Sequence, residues 1–422
     1  MPMDILLGLQ WGDEGKGKVV DVLAPTYNVV ARFQGGPNAG HTLVHDGVKH
    51  VLHQVPSGIF HAQILNVIGN GVVLDPVVFC KEIDGLLARG LQPVHNLVLS
   101  RKAQLIVPTH RLLDAASEAQ KGDAKIGSTL RGIGPAYQDK YARAGLRVGD
   151  VLRADFADRY AQLKKAHLVV LDHLSHDLEA LPELEANWFA AVERLRAFRI
   201  EDTEYLLNDA LAQGQKVLAE GAQGSLLDID FGSYPYVTSS STMAAGACTG
   251  LGVAPRHVAE VFGIFKAYCT RVGAGPFPTE LHDATGEQIR RQGHEFGSTT
   301  GRPRRTGWLD LPALKYACML SGVTQLMMMK ADVLAGMEPI EVCTAYRLDG
   351  RTTTYYPAGP EAAEVTPIYT QRPGWPTSAT PGHFEQLPNG LRQYVSYLEA
   401  ETGLPITLIS NGPDRVDTVL RF

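Results

Sequence analysis

The chain has 422 residues and a formal net charge of −6, with 45% hydrophobic and 20% charged residues. That balance excludes a disordered or fibrous chain, and the acidic sum argues against a general nucleic-acid binder or a basic membrane-surface protein. Cys80, Cys248, Cys269, Cys318 and Cys343 show no C-x-x-C spacing, no apolar stretch reaches the ~18 residues of a membrane span, and the Met1-Pro2-Met3-Asp4 start carries no basic leader, so the expectation is a cytoplasmic protein with reduced thiols that meets neither membrane nor nucleic acid.

In chain order, residues 4–9 are a short apolar run that enters a glycine-rich turn, the pattern of a buried strand feeding a phosphate loop. Residues 29–33, 51–55, 65–68, 97–99, 217–219, 325–329 and 406–409 read as further strands, and 76–89, 111–120, 255–268, 311–320 and 391–400 as helices. Strands that are apolar throughout are those of a parallel sheet covered on both faces. The fold expected is therefore α/β: a large, mostly parallel central sheet with flanking helices, similar to P-loop nucleotide-binding folds. Residues 151–213 contain no glycine and read as an inserted helical subdomain. The chemically suggestive motifs run from residue 10 to residue 415, which predicts one catalytic domain over 1–422.

Gly12-Asp13-Glu14-Gly15-Lys16-Gly17-Lys18-Val19 fits the phosphate-loop pattern G-x-x-x-x-G-K, but Val19 replaces the hydroxyl that ordinarily binds Mg²⁺. An acid at Asp13, beside phosphates, needs a metal or a proton to handle, so it reads as a metal ligand or a general base. A second glycine-rich turn, 34–42, carries His41 beside Gly40 at a strand end, where α/β clefts form. Residues 127–135 read as a phosphate nest, and residues 220–228 present the Gln223 amide. In 298–305, Arg302, Arg304 and Arg305 among hydroxyls suit carboxylate and phosphate. Lys330-Ala331-Asp332 at a strand end resembles a guanine reader, in which the carboxylate accepts N1–H and the 2-amino group and the lysine stem covers the base. Taken singly, each motif competes with a plain alternative: a glycine turn with surface lysines, a core histidine, a solvated basic loop, a strand-end ion pair. Together they describe a GTP-using enzyme with a further anionic substrate.

Residues 10–18, 34–42, 221–224, 234–238, 270–280 and 299–308 resemble the adenylosuccinate synthetase family, in order and over nearly the whole chain. The resemblance implies a GTP-dependent ligase that joins IMP and L-aspartate into adenylosuccinate, with GDP and phosphate, the first committed step from IMP to AMP. It implies Asp13 as base on the purine N1, His41 as acid toward the GDP leaving group, 6-phosphoryl-IMP as intermediate and Gln223 at the reaction centre. Mg²⁺ would be held by Asp13 and the Gly40 carbonyl. GTP would be bound by Gly12, Glu14, Gly15, Lys16, Gly17, Lys18, Gly40, Thr42 and Arg304, with its guanine at Lys330, Asp332, Ser410, Asn411 and Gly412. IMP would meet Asp13, Lys16, Asn38, Ala39, Gly40, His41, Thr129, Gln223, Thr238 and Arg302, and aspartate would meet Ser298, Thr299, Thr300, Arg302 and Arg304. Arg143 matches an arginine that the family lends to the neighbouring subunit's IMP, which implies a homodimer. Leu130, Ser241, Met243 and Pro303 depart from the family pattern. The rival readings are a ligase acting on another purine nucleotide, such as dGMP, and a regulatory GTPase.

Overall fold

The computed structural model describes residues 2–38, 40–45, 48–122, 125–297, 301, 303–357, 359–378 and 382–421, with the backbone alone at 41–45, 48–50 and 360. Ten strands form the central sheet: β1 (Met3–Gly8), β2 (Val29–Arg32), β3 (Leu65–Ile68), β4 (Leu97–Ser100), β5 (Arg199–Glu201), β6 (Val217–Glu220), β7 (Val258–Lys266), β8 (Gln325–Met329), β9 (Ile406–Ser410) and β10 (Thr418–Leu420). Their order is β10-β9-β8-β7-β1-β6-β2-β3-β4-β5. Each neighbouring pair runs parallel except β9 with β10. β2 and β6 are buried at every position, as apolar runs covered on both faces must be.

Helix α1 (Lys16–Leu23) leaves the glycine loop through Gly15, whose φ of 98° is left-handed. Its Val19, Val20 and Leu23 pack with Leu6, Val30, Leu218, Ile264 and Met327 beneath the sheet. Val19 is 0% exposed, which explains the missing hydroxyl: at this position the side chain fills the core. On the other face a larger cluster joins Met3, Ile5, Phe33, Phe265 and Tyr268 to α10 (Leu311–Ser321) and α11 (Asn389–Thr402).

Three expectations change. Residues 255–268 are not a helix: a short turn, Pro255–His257, leads into β7, where Val261 to Lys266 are all buried between β1 and β8. An apolar segment buried on both faces shows no period that separates strand from helix, and the valines and phenylalanines of β7 favour the strand. The strand expected at 51–55 is instead Val48–Leu52, paired as a hairpin with His41–His45. It stops there because the Glu82 carboxylate takes the N–H groups of His53 (2.6 Å) and Gln54 (2.9 Å), which removes them from a ladder. Within 151–213, α5 (Phe156–His173), α6 (Leu181–Leu195) and α7 (Thr203–Ala212) are helical, but Arg199–Glu201 returns to the sheet as its edge strand β5. Trp188 of α6 donates to the Ile106 carbonyl at 2.8 Å, so the insertion is packed onto the body rather than standing apart. A small second sheet (Leu309–Asp310, Ile340–Leu348, Arg351–Thr353, Thr366–Arg372) was not foreseen. Among the described residues no helix is long and apolar enough to cross a membrane.

Asp310 caps α10. Its Oδ1 accepts from the Ala313 amide at 3.1 Å and from the Tyr346 hydroxyl, while Oδ2 is buried without a partner. Burial pushes this carboxyl up to about 6, against 3.8 in the open chain. The folded state thus holds the proton more tightly, so the destabilisation is complete above pH 6 and is relieved as pH falls toward 4. Urea denaturation of Asp310→Asn is expected to show a stability, relative to wild type, that is about 2 kcal/mol more favourable at pH 7 than at pH 4.5; a pH-independent difference would rule this out.

Candidate active site

The carboxyl ends of β9, β8, β7, β1, β6 and β2 lie side by side, and each opens into one of the suspected motifs. Ligand clefts of open parallel sheets form at this edge. After β1, the loop folds around its own acid. Glu14 is 0% exposed; its Oε1 accepts the amides of Gln10 (3.1 Å) and Gly12 (2.9 Å), and Oε2 lies 2.6 Å from Lys16 Nζ. Lys16 also donates to the Gln223 carbonyl, joining the loop after β1 to the loop after β6. A Cβ on Gly8 would sit 2.2 Å from Glu14 Oε2, so a side chain there would push the Glu14 carboxylate from its place. Glu14, expected among the GTP contacts, therefore turns its carboxylate into the loop.

Asp13, Gln223 and Lys330 hold φ of 59°, 57° and 59°. Left-handed backbone at non-glycine residues costs on the order of 1–3 kcal/mol each and gathers at functional sites. Asp13 Oδ2 lies 2.8 Å from Arg304 Nε. Arg304 NH1 pairs in turn with Glu295 at 2.7 Å, and Glu295 also takes Lys330 Nζ at 2.8 Å and Lys266 Nζ at 2.9 Å. Burial alone would raise the Glu295 carboxyl; Lys266, Lys330 and Arg304 instead hold it far below the usual range. Arg305 is committed elsewhere, to Glu280 at 2.8 Å and the Gly275 carbonyl at 2.8 Å, so it is a brace rather than part of an open anion site.

Lys18 Nζ donates to Ser410 Oγ (2.7 Å) and to the carbonyls of Gly412 (2.9 Å) and Asp417 (3.2 Å). This brings the phosphate loop against Ser410 and Gly412. Burial draws the Lys18 ammonium down to about 8, with Asp417, Asp332 and Asp414 opposing. Asp332 Oδ1 is buried with no protein partner, and burial raises its carboxyl. Gln223 Nε2 donates to Asn38 Oδ1 at 3.1 Å, leaving Gln223 Oε1 unpartnered; Thr238 Oγ1 is likewise buried and alone. Buried acceptors without partners are rare, and three of them on expected ligand contacts suit a site completed by a ligand.

Other expectations are not gathered here. The nest at 127–135 has already spent amides: Gly127 and Ser128 donate to Glu118, and Gly132 to Asp114 at 2.8 Å. Thr129 is exposed, and Leu130 holds φ of 55°, a strained place for leucine. Arg143 is exposed at the C-terminus of α4 (Ile133–Ala142), with φ of 62°. Ala39, Ser298, Thr299, Thr300 and Arg302 lie outside the described residues, as do the side chains of His41 and Thr42. Glu295, Lys266 and Asp417 were missed, because no local motif surrounds them.

For a metal, the carboxylate of Asp13 and the carbonyl of Gly40 are hard oxygen donors of the kind Mg²⁺ takes, and Asp13 is partly exposed, with Oδ2 toward Arg304. The other candidate among the described residues is His110, Asp139 and His167. Val107 N–H donates to His110 Nδ1 at 3.0 Å, so the ring proton is on Nε2, which donates to Asp139 Oδ2 at 2.8 Å. Metal at Nε2 would move that proton to Nδ1, against the Val107 N–H. The cluster is a fastener: His110 of α3 (Pro108–Gln120) and His167 of α5 pin α4 through one carboxylate oxygen.

The chain is 61% identical over 424 residues to the adenylosuccinate synthetase of Cytophaga hutchinsonii, covering 100% of this chain and 98% of that protein. It is 56% identical to that of Flavobacterium johnsoniae, over 100% of both. The fully ligated adenylosuccinate synthetase of Plasmodium falciparum superposes with a TM-score of 0.93 at 36% identity, covering 100% of both chains. A cyanophage S-2L succinoaminodeoxyadenylate synthetase bound to dGMP and dATP shares the fold, with a TM-score of 0.64 at 20% identity over 99% of this chain and 95% of that one. With the adenylosuccinate synthetase family model matching residues 5–419, the chain belongs to that family.

Proposed function

We propose that the protein is a GTP-dependent carbon–nitrogen ligase that joins IMP and L-aspartate into adenylosuccinate, releasing GDP and phosphate, on the route from IMP to AMP. The observation that carries this reading is the ion-paired run Asp13–Arg304–Glu295–Lys330 along one sheet edge, beside the unpartnered Oδ1 of Asp332. It spans from a base pocket to an acid suited to proton removal. Against a GTPase switch stands the match to a ligase family over residues 5–419. At 20% identity the dGMP-bound phage protein lends the deoxynucleotide reading only its fold.

In this mechanism Asp332 accepts the guanine donors, and Ser410, Asn411, Gly412 and the Lys330 stem complete the pocket. Gly15, Lys16, Gly17, Lys18, Gly40 and Thr42 take the phosphates, while the Gly12 N–H, expected among these contacts, stays with Glu14. Asn38, Ala39, Thr129, Gln223, Thr238 and Arg302 orient IMP. Asp13 removes the N1 proton, and the purine O6 attacks the γ-phosphorus, giving 6-phosphoryl-IMP. His41 donates a proton toward the departing GDP. The step is needed because oxygen on C6 leaves poorly and phosphate leaves well. The aspartate amine, with its carboxylates on Ser298, Thr299, Thr300, Arg302 and Arg304, then displaces phosphate at C6. Mg²⁺, held by Asp13 and the Gly40 carbonyl, would offset crowded phosphate charge when bound. The enzyme works as a cytoplasmic homodimer in which Arg143 reaches the neighbouring subunit's IMP.

Product formation with each substrate omitted in turn tests the assignment: near-ultraviolet absorbance should rise only with IMP, aspartate and GTP together, and GTP hydrolysis without the other two, or turnover of dGMP but not IMP, would overturn it. Asp13→Ala should lower kcat by roughly 10²–10⁴-fold, while GTP affinity changes severalfold at most; unchanged turnover removes the base role. Asp332→Asn should weaken GTP by roughly 10–100-fold and narrow its preference over ATP, as read by competition assays. GTP affinity, measured by titration from pH 7 to 9.5, should fall above pH 8, where buried Lys18 loses its charge; Lys18→Arg should flatten that fall.

A further inference from the structure

The mechanism uses Arg304 and Lys330 but not the acid beneath them. Glu295 and Lys266 are both 0% exposed, 2.9 Å apart. Burying an ion pair completely costs several kcal/mol per ion in desolvation, and apolar residues of like volume usually serve stability as well or better. Stability alone is thus a poor reason for this pair. What distinguishes Glu295 is its set of partners. Oε1 takes Lys266, Lys330 at 2.8 Å and the Tyr268 hydroxyl; Oε2 takes Arg304 at 2.7 Å. The backbone repeats the connection, since Arg304 N donates to the Glu295 carbonyl at 2.9 Å. Lys330 Nζ gives another bond to the Gly293 carbonyl at 2.7 Å, which spends its charge below the pocket and leaves its stem for a base. Arg304, held from one side, meets Asp13 from the other.

We propose that Glu295 is a positioning residue that anchors, through one carboxylate, both the lysine of the guanine pocket and the arginine at the reaction end. The inference rests on the roles given above to Lys330 and Arg304. One anchor for two subsites makes a distinctive prediction: a single substitution at a residue assigned to neither substrate disturbs the binding of both.

Glu295→Gln keeps the shape and removes the charge. It should raise KM for GTP and for aspartate at least tenfold each, with a smaller change in kcat and with KM for IMP within twofold. The double variant Lys266→Met/Glu295→Gln leaves the net charge of the cluster unchanged. It should recover the thermal stability that Glu295→Gln loses, yet keep both high KM values. Recovery of stability and both KM values together would make Glu295 merely structural and overturn the proposal, as would a rise in only one KM. If Glu295→Gln does not fold, the double variant decides alone by the same KM criterion. Lys330→Met and Arg304→Leu serve as controls. If these leave GTP and aspartate KM unchanged, the reading of the site falls and takes the inference with it; if they shift them and the Glu295 variants do not, the inference alone fails.

Discussion

Parallel pairing forces the carboxyl ends of neighbouring strands onto one edge, and everything chemical in this protein follows from that constraint. Residues as distant in sequence as Asp13, Gln223, Lys330 and Ser410 meet because β1, β6, β8 and β9 all finish there. The apolar cost is borne elsewhere. Helix α1 and the long helices cover both faces, so most strand side chains are apolar and the groups suited to chemistry gather at the strand ends and in the loops.

At that edge charge is balanced by direct contact rather than by solvent. Asp13, Arg304 and Glu295 alternate in sign, and Lys330 and Lys266 both close on Glu295, all through distances of 2.7–2.9 Å. Such a network holds each member in one geometry at the expense of desolvation. The left-handed backbone at Asp13, Gln223 and Lys330 is stored strain of the same kind, tolerated where position matters more than local comfort. Farther out, the two histidines on Asp139 do for α4 what the glutamate does for the arginine. Burial would raise that carboxyl, but the imidazole donors keep it below the usual range.

Much of this was legible in the residues. Strands at 65–68, 217–219, 325–329 and 406–409 announced themselves as apolar runs before glycine or polar turns, and Lys330 and Asp332 stood where a base reader should. The family resemblance supplied roles that spacing could not. What stayed hidden had physical causes. β7 looked helical because burial on both faces erases the period. The amides of 127–135 looked free because their acceptors, Glu118 and Asp114, sit on a different element. Glu295 carries no motif at all; its meaning lies in three cations that come from elsewhere in the chain. Val19 looked like a defect in a phosphate loop, and is a core residue.

The inward carboxylate of Glu14 has one more consequence. With the Gln10 and Gly12 N–H groups already claimed by it, a polyphosphate cannot be gripped by the front of the loop. The donors left over are those at the mouth of α1, which has no side-chain cap. An incoming anion is thus steered to the helix end, where the aligned peptide dipoles are strongest, and the loop ahead of it is a rigid rim already cast around an acid of its own.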